Sequence, residues 1–67
     1  MSYNKYIEIA DEIYSNIDII CENENIKQFL NESENIINKY IEMFPLLPYH
    51  RVISIYISMS LMFYINF

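Results

Sequence analysis

With 67 residues, a single cysteine and no glycine or tryptophan, the chain has room for one domain at most and cannot close a disulfide within itself. A formal charge of −5, with only four scattered Lys and Arg residues, argues against nucleic-acid binding, which needs a basic patch. The lack of glycine disfavours phosphate-cradling loops, and no Cys/His cluster is present to hold zinc.

A chain this short buries only about 60% of its unfolded surface, so a staple is expected from outside its own core. Self-association, a protein partner or a membrane would each supply one. The acid is unevenly placed: residues 1–44 carry all nine carboxylates, and residues 45–67 carry Arg51 and none. That split separates a solvated half from a buried half. No basic-and-apolar N-terminal signal is seen, and one thiol gains nothing from an oxidising compartment, so a cytoplasmic location is expected.

In chain order, apolar residues at Tyr3, Tyr6, Ile7, Ala10, Ile13, Tyr14, Ile17, Ile20 and Cys21 step by three and four, which predicts a helix over 3–21 with Ser2 as N-cap. Residues 22–25 read as a short connection, with Asn25 and Gln28 arranged like a capping box. A second helix is predicted to about Phe44, its stripe formed by Ile26, Phe29, Leu30, Ile36, Ile37, Tyr40, Ile41 and Phe44 and interrupted at Ser33. Two such helices should pack as an antiparallel hairpin.

Pro45 ends the second helix and Pro48 is placed to be the first residue of a third. From Val52 to Phe67 the pattern fits either a strand or a helix, because apolar residues alternate yet also surround a helical wheel. A strand would be overlong and without a partner strand, so a helix is preferred. Such a helix has only Arg51, Ser54 and Ser58 as a polar stripe and must be covered by protein or lipid. The expected fold is all-α, a single small domain: an amphipathic hairpin over 1–44 and an apolar C-terminal segment over 45–67.

Chemistry is sparse. Glu8 with Asp11 or Glu12 shares a helix face that could bind a cation or pass a proton, but opposite the apolar stripe they read as a solvated face. His50 and Arg51 read as an exposed first turn, and Cys21 as an inert thiol on the apolar face. No Ser-His-Asp spacing, HExxH or glycine-rich loop is present. The chain is expected to be non-enzymatic, without catalytic residues, metal or cofactor.

The uncharged run 52–67 has a membrane reading, as a tail anchor flanked by His50 and Arg51. At about 24 Å it falls short of the roughly 30 Å hydrocarbon core. A homo-oligomer burying its third helices is another reading. In the protein-docking reading, Leu47-Pro48 followed by Val52, Ile55, Tyr56 and Met59 resembles the start of an F-box. Preceded by Phe44-Pro45-Leu46, it is similar to the C-terminal F-box-like (PRANC) segment of poxvirus ankyrin-repeat proteins, and an A+T-rich bias toward Ile, Asn, Tyr, Glu and Lys suits a viral source. The resemblance implies docking to the Skp-type adaptor of a cullin-RING ubiquitin ligase, with Leu47, Pro48, Val52, Ile55, Tyr56 and Met59 as contacts. It spans about 15 residues and departs from the pattern where His50 replaces an acid and Arg51 an apolar residue. Without ankyrin repeats, the chain would be a truncated remnant with an adaptor-binding end and no substrate-reading end.

Overall fold

A computed structural model of the chain describes residues 2–65, with side chains described for residues 5–62. Among the described residues it forms five α-helices and no strand: α1 (Ser2–Ser15), α2 (Ile17–Glu22), α3 (Glu24–Glu32), α4 (Glu34–Met43) and α5 (Tyr49–Ile65). The chain is therefore all-α, and the ambiguous run is helical up to Ile65. The cap expected of Ser2, and the roles expected of the Tyr3, Phe63, Tyr64, Ile65, Asn66 and Phe67 side chains, lie outside the described residues.

Each of the two long helices expected from periodicity is divided, and each division has a local cause. At Asn16 (φ −118°, ψ 18°) the N–H bonds the Ile13 carbonyl at 3.1 Å, one residue short of α register. The Glu12 carbonyl freed by that step accepts instead from Ser15 Oγ at 2.8 Å and Asn16 Nδ2 at 3.0 Å. Side chains that compete with the backbone in this way are why Ser and Asn interrupt helices. At Ser33 (φ −98°, ψ 14°) the N–H is shared between the carbonyls of Phe29 at 3.0 Å and Leu30 at 3.1 Å.

The connection between α2 and α3 is shorter than the four polar residues suggest. It consists of Asn23 alone, extended at φ −68° and ψ 129°, whose Oδ1 accepts the Ile26 N–H at 3.1 Å. The N-cap is thus Asn23 rather than Asn25, and Gln28 closes no box; its Nε2 donates to Glu32 at 3.1 Å. The physical reason is that the cap goes to whichever Asn has left the helix, and Asn25 is already inside α3.

The hairpin closes at its α2–α3 end, while its arms, α1 and α4, pack chiefly against α5. One core cluster results: Ile13 from α1, Ile17 from α2, Ile37 from α4, and Ile53, Tyr56 and Ile57 from α5, with Ile9, Ile20, Cys21, Leu30, Tyr40 and Ile41 packed around it. α5 is buried on most sides, with Val52, Ile53, Ser54, Tyr56, Ile57 and Ser58 inside and only Ile55 half-buried between them. Burial on this scale, worth roughly 1.5–3 kcal/mol for each large apolar side chain, overrides the modest helix propensity of an Ile-rich sequence.

The serines of α5 become intelligible in this setting. Ser54 Oγ donates to the His50 carbonyl at 2.8 Å and Ser60 Oγ to the Tyr56 carbonyl at 2.9 Å, each one turn back along the same helix. Ser58 Oγ donates across the interface to the Tyr6 carbonyl of α1 at 3.0 Å. A larger side chain at 58 would force α1 and α5 apart. Among the described residues no buried side-chain polar atom lacks a partner.

Arg51 closes the other end of the α1–α5 interface. Its guanidinium donates to Asp11 Oδ1 at 2.7 Å and lies 3.9 Å from the centre of the Tyr14 ring. Asp11, read from sequence as part of a solvated face, is half of this ion pair, and the chain's single arginine serves the fold.

Candidate docking surface

The surface begins where α4 must stop. Phe44 leaves the α region at φ −127° and ψ 63°, as a residue before proline tends to, after its N–H has bonded the carbonyls of Tyr40 and Ile41. Phe44, Pro45, Leu46 and Leu47 then form a β-turn closed by the Leu47 N–H on the Phe44 carbonyl at 3.2 Å. Pro45 pre-sets the second position of that turn. Pro48 does not become the first helical residue; it stands one place earlier, and its carbonyl accepts the N–H groups of Arg51 at 3.0 Å and Val52 at 3.1 Å to start α5.

The turn leaves Leu46 and Leu47 on the surface between Met43 at the end of α4 and Tyr49 at the head of α5. Leu46 is 95% exposed, Met43 65%, Tyr49 57% and Leu47 39%. Four large apolar side chains within seven residues are thus exposed, and exposed apolar surface of this kind marks candidate interaction sites.

The six residues singled out from sequence divide between surface and core. Leu47, Pro48 and Met59 are exposed, and Ile55 is half-buried. Val52 at 1% and Tyr56 at 7% exposure point inward. Tyr56 is a hub of the core: Phe29 stacks on its ring with centroids 5.6 Å apart, Tyr40 meets it edge-on at 5.4 Å, and its hydroxyl donates to Ser33 Oγ at 2.8 Å. Leu46, Met43 and Tyr49 were not singled out. The available signal was the bracketing of Leu46 by Pro45 and by Leu47-Pro48, which excludes it from either helix stripe.

Met43 and Phe44 also line an apolar groove of about 370 Å³ between α1, α4 and α5, together with Tyr6, Ile7, Ala10, Tyr40, Ile55, Ser58 and Met59. The groove has no charged lining residue. A second cleft of about 550 Å³ brings Cys21 and His50 to the same walls as Lys27, Asn31, Glu34 and Asn38. Burial, and secondarily the Asp18 carboxylate, push the Cys21 thiol above its ordinary value of 9.0, which keeps it protonated and weakly nucleophilic. No hydrogen bond joins Cys21 to His50, and among the described residues no group of three or more His, Cys, Asp and Glu side chains is arranged to hold a metal ion. Also among the described residues, no helix is long and apolar enough to cross a membrane.

No family model, curated protein or solved structure matches the chain.

Proposed function

We propose that the chain is a non-enzymatic protein-interaction module that docks onto the Skp-type adaptor of a cullin-RING ubiquitin ligase, as its similarity to the F-box-like segment of poxvirus ankyrin-repeat proteins implies, with the exposed residues 43–49 at the centre of the contact. The observation that carries this reading is the position of Leu47 and Pro48. The pair that anchors the resemblance stands on the surface at the head of α5, among Met43, Leu46 and Tyr49.

The contact set implied by the resemblance is correspondingly narrowed. Val52 and Tyr56 are committed to the core, leaving Leu47, Pro48 and Met59 with a partly covered Ile55. A viral source and a cytoplasmic site of action belong to the same reading.

The test is direct binding of the purified chain to a purified Skp-type adaptor, followed by isothermal titration. Leu47→Asp should weaken association by about tenfold or more, as loss of a buried interface leucine does, while circular dichroism stays unchanged. No association of the wild-type chain at micromolar concentration would overturn the reading.

A further inference from the structure

We propose that a second copy of this chain covers the apolar groove between α1, α4 and α5, with the two copies related by a two-fold axis. This self-association is independent of adaptor docking. The groove of about 370 Å³ lies where α1 and α4 pack on α5. Ala10 and Ser58, both small and buried, leave room in it, and Ile7, Met43 and Met59 stand exposed along it. An adjoining depression of about 400 Å³ shares Met59 and adds the exposed Ile36. Three helices thus bring four exposed apolar side chains to one face.

Area argues that another chain covers this face. The chain exposes 5234 Å², whereas surface scaling gives a monomer of 8.2 kDa about 4,500 Å². The surplus of roughly 700 Å² is close to the ~800 Å² that each partner contributes to a standard interface.

Charge argues that the other chain is a second copy. No residue lining the groove or the depression is charged, so a charged partner finds no counter-ion there. Two chains of −5 each can meet on this face without setting carboxylate against carboxylate. In a two-fold pair the same patch serves both sides, so Met43 of each copy lies against the groove of the other. Its flexible thioether suits an irregular surface of this kind.

The experiment is sedimentation equilibrium of the full chain in low and high salt, with Ile7→Glu and Met59→Glu as groove variants. Ile19→Glu, at an exposed apolar position on α2 outside the groove, adds the same charge and serves as the control. A dimer at micromolar concentration is expected, and salt should tighten it by screening the repulsion between like-charged chains. Each groove variant should weaken it by about tenfold or more, with Ile19→Glu within about threefold of wild type. Circular dichroism checks that the variants fold; if Ile7→Glu unfolds the chain, Ile7→Ala and Ile36→Ala should weaken the dimer without adding charge. A chain that stays monomeric into the millimolar range would overturn the proposal. So would a dimer that loosens in salt, or one that Ile19→Glu weakens as much as the groove variants do.

Discussion

The Tyr56 hydroxyl donates to Ser33 Oγ at 2.8 Å, tying the middle of α5 to the break between α3 and α4. Both residues are buried, and Phe29 and Tyr40 enclose the ring from either side of that break. Ser33 interrupts an apolar stripe because a hydroxyl is needed there. Removing one partner leaves the other buried without a bond, so Tyr56→Phe and Ser33→Ala should each cost about 1–3 kcal/mol. In urea unfolding the double variant should cost less than the sum of the two, and strict additivity would deny the coupling.

The Arg51 contacts separate into a salt-sensitive part and a packing part. Asp11→Asn removes only the ion pair, whose exposed carboxylate limits it to roughly 0.2–1 kcal/mol. Arg51→Ala removes that and the Tyr14 stacking at 3.9 Å, a further 0.5–1 kcal/mol or so. In high salt the Asp11→Asn deficit should shrink, whereas much of the Arg51→Ala deficit should persist. Equal loss of both deficits in salt would show that the ring contact contributes nothing.

For Cys21 the sign follows from its raised pKa. The folded chain keeps the thiol proton at pH values where the unfolded chain has begun to release it, so this group's contribution to stability is present below pH 9.0 and declines as pH rises past it. Alkylation of native Cys21 should titrate with a midpoint above that of the urea-unfolded chain, and Asp18→Asn should lower the native midpoint by removing the smaller of the two causes. A native midpoint at or below the unfolded one would contradict the burial described.

Much of this fold is legible in the sequence, for reasons tied to particular residues. The stripes through Ile13 and Ile17 and through Ile37 and Ile41 follow helical period and do reach the core. The two proline signals place the joint within a residue of where it stands. The breaks at Asn16 and Ser33 are less visible, because they depend on side chains choosing a backbone carbonyl or a tyrosine hydroxyl over continued helix. The candidate site is only half legible. The F-box-like resemblance implies Val52 and Tyr56 as contacts, and apolar spacing in α5 does not distinguish a partner's groove from the chain's own core. In a helix apolar on all sides, only the surrounding helices decide which residues remain outside.

The most direct test is amide hydrogen exchange on the free chain and on the chain saturated with purified Skp-type adaptor. In the free chain, residues 52–58 should exchange only by global unfolding, since they are the most enclosed part of the core. Adaptor should then add local protection over residues 43–49. Fast exchange of 52–58 in the free chain, with protection arriving there on binding, would mean that α5 is itself the docking element and would contradict this account.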